Sequence, residues 1–187
     1  MNYEIRTMQP AEYPQLRNFL YLAIFIPQGY DPPPYSILDQ PELQVYIKDF
    51  GCSPDDLAMA AFCGDTIAGA VWVRIMPDYG HVQDDMPSLA ISVLPEYRRM
   101  GIGTALMREI LKALQSRHYP GISLSVQKEN YAAKMYRSLG FRVLRETDEE
   151  WIMPSQSASR YWGPHQHTSS AYASKPYGSP AGGYHPQ

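Results

Sequence analysis

The stretch YRRMGIGTAL, residues 97–106, sets two glycines one residue apart just after a pair of arginines. Before it, SLAISVLPE (88–96) reads as a buried strand closed by Pro95. After it, TALMREILKALQSR (104–117) brings Ala105, Leu106, Ile110, Leu111 and Leu114 round at helical spacing. Gly101 and Gly103 therefore lie at a strand-to-helix turn, where the first N–H groups of the helix have no intrahelical partner. Glycine there marks a tight turn or a close approach to the main chain, and free N–H groups at a helix start hold anions, most often phosphate. The turn is not a nucleotide P-loop, because no GK[ST] follows, and it does not complete the GxGxxG of a dinucleotide fold.

Outward from this turn, residues 3–7 alternate like a short strand. From Pro10, AEYPQLRNFLYLAIF (11–25) carries apolar residues at helical intervals up to Pro27, with Pro14 either in the first turn or delaying it. QGYDPPPY (28–35) is excluded from regular structure, since three consecutive prolines remove three backbone donors. A second helix is expected over ILDQPELQVYIKDFG (37–51), stopping at Gly51. DLAMAAFC (56–63) and TIAGAVWVRIM (66–76) read as strands joined by a Gly64-Asp65 hairpin turn, and PDYGHVQDDMP (77–87) as a polar loop. GISLSVQ (121–127) is a strand, NYAAKMYRSLG (130–140) a short helix ending at Gly140, and FRVLRET (141–147) and WIMPS (151–155) a final strand pair. The order β-α-α-β-β-β-α-β-α-β-β predicts an α/β sandwich about one central sheet.

The chain has 187 residues, 44% of them hydrophobic, enough for one domain with its own core. Its 16 Lys and Arg against 19 Asp and Glu argue against general electrostatic binding of nucleic acid. Cys52 and Cys63 fit neither a CxxC nor a zinc pattern, and FLYLAIFI (19–26) is too short to cross a bilayer. MNYEIRT, at the start, has no basic n-region, so the expectation is a soluble cytoplasmic protein without a membrane partner. From Ser155 acidic residues vanish and aliphatic ones nearly so, which divides the chain into a domain at 1–154 and a flexible low-complexity tail at 155–187. His165 and His167 in that tail could hold a metal, but no third ligand is fixed near them, and no metal is expected.

Arg98, Gly101 and Gly103, as R-x-x-G-x-G, resemble the acyl-CoA pyrophosphate loop of the GNAT superfamily of N-acetyltransferases. A second match, N-x-x-A-x-x-x-Y-x-x-x-G-F over Asn130 to Phe141, resembles the GNAT segment that presents an asparagine and a tyrosine to the coenzyme thiol arm. The motifs stand in family order, and the element order agrees from Tyr3 to about Pro154, as in an uncharacterised bacterial branch. The resemblance implies a mixed central sheet flanked by helices, with the strands at about 88–94 and 121–127 splayed into a slot for the pantetheine arm.

Residues 98–104 (Arg98, Arg99, Met100, Gly101, Ile102, Gly103 and Thr104) would then cradle the pyrophosphate with main-chain N–H groups, Thr104 adding a hydroxyl. Arg98 and Arg99 either supply charge at the rim or form a solvated surface pair. Ile91, Ser92 and Val93 would offer strand backbone to the coenzyme, an N–H near Ser92 or Val93 facing the thioester oxygen. Asn130 would bond the pantetheine amides, cap the following helix, or both. Tyr136 would be the general acid, its phenol having an unperturbed pKa of about 10; the alternative is a core tyrosine. The family often carries a glutamate on the splayed strand, yet SLAISV has no carboxylate. His81, Asp84 and Asp85 are the candidate bases on the loop before it, His81 leading because its unperturbed pKa lies near 6.5; each is also an ordinary surface-loop residue.

The resemblance places the acceptor pocket around FIPQGYDPPPYSILDQPELQVY (25–46), where Tyr30, Tyr35, Asp39, Glu42 and Tyr46 could receive a small cationic amine or simply pack on the core. The implied activity is transfer of an acetyl group from acetyl-CoA, the cosubstrate, to a small-molecule primary amine. The alternatives are a non-catalytic acyl-CoA-binding sensor or partner domain of the same fold, and an interaction protein acting through its tail. Some family members pair through their last strands, so a homodimer is compatible with the resemblance.

Overall fold

The computed structural model describes residues 2–156. Its elements run β1 (Glu4–Thr7), α1 (Leu16–Ala23), α2 (Pro41–Gln44), β2 (Leu57–Cys63), β3 (Thr66–Arg74), β4 (Ser88–Val93), α3 (Ile102–Ser116), β5 (Gly121–Gln127), α4 (Ala132–Ser138), β6 (Arg145–Glu146) and β7 (Glu150–Gln156). The order of strands and helices is the one expected. The seven strands form one sheet in the order β1-β2-β3-β4-β5-β7-β6, parallel only between β4 and β5.

Strand alternation gives the sheet two apolar faces. Ala58, Ala60, Ala70 and Trp72 face Leu16, Phe19, Leu20 and Leu38, which belong to α1 and the segment after it. Met59, Ala61, Val71 and Val73 face the other way, against Ile102, Leu106, Ile110 and Leu114 of α3 and Ala133 and Tyr136 of α4. The residues of α3 that recur at helical spacing include Leu106, Ile110 and Leu114, all buried.

Three expected elements differ in extent. The first helix is a 3-10 turn over Pro10–Gln15, with Pro14 inside it, followed by α1, only eight residues long. The second is broken into a 3-10 turn (Tyr35–Asp39), the single turn of α2, and turns as far as Ser53. The first break is local, Gln40 standing extended at ψ 137° before Pro41; beyond α2 the reason lies outside the segment, where Arg74 donates to the carbonyls of Val45 and Lys48, and Trp72 Nε1 to that of Tyr46. Those carbonyls bond side chains from β3 instead of N–H groups four residues on. The FRVLRET strand shortens to Arg145–Glu146, although Arg142 and Leu144 still donate to Pro154 and Ile152 alongside β7. β7 itself continues through Gln156, two residues into the compositional tail; His165 and His167 lie outside the described residues. Among the described residues no helix is long and apolar enough to cross a membrane.

Candidate active site

β4 and β5 touch at one parallel bridge, Ser88 to Ser123, with the Ser123 N–H on the Pro87 carbonyl at 3.0 Å. Beyond it the two strands part. β4 stays paired to β3 along its whole length, from Arg74–Ser88 to Gly69–Val93. The Leu94 N–H bonds Ala68 at 2.9 Å, so by ladder alternation Ser92 and Ala90 also turn their backbone groups toward β3. The N–H groups of Ile91 and Val93 therefore face the opening. Ser92 contributes differently from the expectation: its hydroxyl donates to the Phe19 carbonyl at 2.7 Å and ties α1 to β4.

At the far end of β4 the chain enters α3 through Gly101, whose φ of +81° is left-handed, and Arg99 at +62° shares that conformation. No side chain caps α3, which leaves the N–H groups of Ile102, Gly103 and Thr104 directed out of the helix start. A Cβ built on Gly101 meets nothing within 4 Å, so the space beside the turn is open. A Cβ on Gly103 would stand 3.8 Å from Val93 of β4 and 3.8 Å from Met135 of α4, so the turn, the strand end and the fourth helix converge there. Ile102 is buried and offers only backbone; Met100 is half exposed. Arg98 points its Nε back to the Val93 carbonyl at 3.0 Å, while Arg99 is exposed at the rim.

The second motif has a local explanation. Gly140 at φ +91° ends α4, the Phe141 N–H bonds the Tyr136 carbonyl at 3.1 Å, and the Gly140 N–H bonds Arg137 at 3.2 Å. This is a Schellman closure, and it brings the Phe141 and Tyr136 rings to 5.7 Å, the apolar contact that accompanies it. Asn130 Oδ1 accepts from the Ala132 N–H at 2.9 Å and starts the helix. Tyr136 is 8% exposed, and its hydroxyl has no hydrogen-bond partner among the described residues. Burial raises its pKa well above the ordinary phenol value.

The other candidates fall in two places. Tyr30 is largely exposed, Tyr35 bonds Asn18 on the outer side of α1, and Glu42 is exposed in the first turn of α2. Asp39 pairs with Arg17 at 2.6 Å. Tyr46 instead turns inward and donates to Asp78 at 2.8 Å. His81 holds Nε2 3.3 Å from Asp84, Asp85 is exposed, and His81 Nδ1 is buried without a partner.

Sequence reasoning passed over Asp78. It accepts from Ser88 at 2.6 Å as well as from Tyr46, and Ser88 and Ser123 bring their hydroxyls to 3.4 Å at the last paired level of the slot. Burial raises the Asp78 pKa, against the hydrogen bonds from Ser88 and Tyr46, which lower it. Its only sequence signal is the PDYG turn just upstream of a strand with polar Ser88 at its start. Among the described residues no three His, Cys, Asp or Glu are grouped to hold a metal ion.

The family model for the acetyltransferase (GNAT) family matches residues 22–141. The probable N-acetyltransferase san of Drosophila melanogaster is 33% identical over 108 residues, 57% of each chain. N-alpha-acetyltransferase 50 of Danio rerio is 29% identical over 108 residues, 57% of this chain and 62% of its own. The chain thus spans less than two thirds of the length of these curated relatives. In three dimensions, the paia N-acetyltransferase of Thermoplasma acidophilum, solved in complex with coenzyme A, superposes with a TM-score of 0.62 at 20% identity, over 84% of this chain and 100% of that one. At that identity the likeness speaks for the fold.

Proposed function

The chain belongs to the acetyltransferase (GNAT) family, and from that premise we propose that it moves an acetyl group from acetyl-CoA to a primary amine of a small molecule, by direct attack on the thioester. The observation that carries this reading is the single bridge between β4 and β5. It leaves strand N–H groups facing an opening that has an uncapped helix start at one end, and Tyr136, whose hydroxyl has no partner among the described residues, packs in the core on the α3 side of the same sheet. Coenzyme A in the Thermoplasma neighbour supports the choice of cosubstrate.

Acetyl-CoA supplies the thioester whose carbonyl carbon the amine attacks. The N–H groups of Ile102, Gly103 and Thr104 hold the pyrophosphate at the start of α3, with Arg99 at the rim. Arg98 fixes the Val93 carbonyl through Nε and keeps its two terminal nitrogens for the rim of the pyrophosphate. The free N–H groups of Ile91 and Val93 meet the pantetheine backbone and the negative charge that develops on the thioester oxygen. Asn130 keeps its capping bond and turns its amide NH2 outward to the arm. Tyr136 donates to the departing sulfur. With its pKa raised by burial it stays protonated through neutral pH, and it acts by hydrogen bonding a thiolate more than by ionising itself. His81, whose Nε2 lies 3.3 Å from Asp84, takes the proton of the amine.

The test is amine-dependent release of free CoA from acetyl-CoA by the purified chain, across small amines, polyamines and peptides with free N-termini. Release with a small amine supports the proposal, and release only with peptides moves the acceptor to protein. Coenzyme binding with no release from any amine favours a non-catalytic acyl-CoA-binding domain, the reading to which the missing carboxylate on β4 would then belong.

A further inference from the structure

Asp78 is a half-buried carboxylate whose identified donors are all uncharged: the hydroxyls of Tyr46 and Ser88 and the Gly80 N–H. Lys48 lines the neighbouring groove without an ion pair among the described residues, and the other basic side chains of the adjoining elements are engaged elsewhere. Arg74 pairs with Asp56, Lys128 with Glu146, and Arg145 donates to the His81 carbonyl. A buried charge left in this way is costly unless something of opposite sign meets it.

A second observation in the same turn points to the same kind of missing group. His81 Nδ1 is buried and has no hydrogen-bond partner. A buried ring nitrogen ordinarily has a hydrogen-bond partner, and this one has none among the described residues. The turn between these two residues is pressed onto β5: a Cβ on Gly80 would stand 3.0 Å from the Ser125 nitrogen and 3.1 Å from Asp78 Oδ2. The Ser125 hydroxyl in turn donates to the Glu150 carboxylate at 2.8 Å. Acceptor atoms from the β3–β4 loop, β5 and β7 thus gather on the α1 side of the sheet where β4 and β5 begin to part. A groove lined by Gln44, Val45, Lys48, Arg74, Met76 and Pro77 runs up to the residue before Asp78.

An ammonium group is the complement of this arrangement, with one positive charge and three N–H donors. Resting on the acetyltransfer reading of the slot, we propose that Asp78 receives the ammonium of the acceptor, so that cationic primary amines enter from the α1 face, opposite to the coenzyme turn. Asp78 holds and orients the amine, and His81 Nδ1 is the next acceptor in line for its proton.

The test uses the full 187-residue chain saturated with CoA. Calorimetric binding of benzylamine and alaninamide is compared with that of their uncharged counterparts, benzyl alcohol and lactamide. Each amine should bind at least about tenfold more tightly than its counterpart, the effect of one charged hydrogen bond. Asp78→Asn should remove that preference while leaving the CoA Kd unchanged, and Asp78→Glu should recover it. Equal binding of amine and counterpart by the wild type, or an Asn variant that keeps the preference, overturns the proposal and leaves Asp78 as a staple between Tyr46 and Ser88. The wild-type comparison decides even if the Asn variant fails to fold. CoA release assayed in parallel separates the two readings. Charge-selective binding without transfer sinks acetyl transfer alone, and transfer without charge selectivity sinks the ammonium site alone.

Discussion

Tyr136 and Gly103 are the two residues whose roles separate most cleanly from stability. Tyr136 lends the core its ring, and Phe keeps that ring, so Tyr136→Phe removes only a hydroxyl that has no partner among the described residues. Melting should barely change. A hydrogen bond to a charged sulfur contributes about 1.5–3 kcal/mol, so kcat should fall roughly tenfold to a hundredfold with the calorimetric affinity for acetyl-CoA unchanged. Because the phenol is held above its ordinary pKa, the rate profile of the wild type should show no falling limb at its ordinary value, which stopped-flow assays at alkaline pH can check. Unchanged kcat in the Phe variant would transfer the donor role to water. For Gly103 the signs oppose: Ala is the better helix former by up to about 1 kcal/mol, and its Cβ meets only ordinary contacts at 3.8 Å. Gly103→Ala should hold or raise the melting midpoint yet weaken coenzyme binding, because the methyl group fills the gap between Val93 and Met135. Full affinity in that variant would reduce the turn to a turn.

At the scale of elements, the start of the first helical segment is set by charge. The Glu12 carboxylate accepts from the Gln9 N–H at 2.6 Å and from both terminal nitrogens of Arg6, fastening β1 to the turn at Pro10–Gln15. The Arg6 hydrogen bond comes first, then that of Gln9, and together they lower the Glu12 pKa from 4.5 to about 2. A carboxylate depressed in the folded state stabilises fully above its unfolded pKa and loses that contribution as pH falls through the folded one. The stabilisation should therefore drain away between pH 4.5 and about 2, and Glu12→Gln should flatten the melting midpoint against pH across that window. Parallel acid limbs in the two proteins would show that the pair is screened by solvent. Such long-range partners also explain which elements could be read from the sequence. β2, β3, the Gly64-Asp65 turn, β4, α3 and β5 announce themselves because alternation, helical spacing and turn residues are local. The expected helix over 37–51 breaks first at Gln40, extended before Pro41, and then beyond α2, where Arg74 and Trp72, far along the chain, take the carbonyls of Val45, Tyr46 and Lys48. In the site, the glycine turn and the Tyr136 segment were legible as spacings. Asp78 was not, since its burial depends on Tyr46, Ser88 and Gly80 meeting around it.

For the molecule as a whole, the segment after α2, which the proposal above sets beside the acceptor, is held to the sheet by the Arg74–Asp56 ion pair. Arg74, at the end of β3, pairs with Asp56 at 3.0 Å, and the two side chains are 13% and 0% exposed. Arg74 also stacks its guanidinium 5.5 Å from the Phe50 ring and holds the Val45 and Lys48 carbonyls, while Asp56 accepts from the Gly51 and Ser53 N–H groups. The segment that carries Tyr46 to Asp78 is thereby clamped from both ends. Arg74→Met strands a fully buried carboxylate, which costs about 3–5 kcal/mol. At about 2–4 °C per kcal/mol for a chain of this size, the melting midpoint should drop by roughly 10 °C. Because the clamp holds the acceptor side and not the coenzyme turn, the KM for the amine should rise while the Kd for acetyl-CoA stays near that of the wild type. The double variant Arg74→Met, Asp56→Leu removes both charges together and should regain most of the lost stability, since an apolar pair of similar volume replaces a desolvated ion pair. It should not regain the low amine KM, because the bonds to the Val45 and Lys48 carbonyls are still missing. A double variant that restored the midpoint and the KM alike would mean that the charge, and not those two carbonyl bonds, positions the acceptor segment.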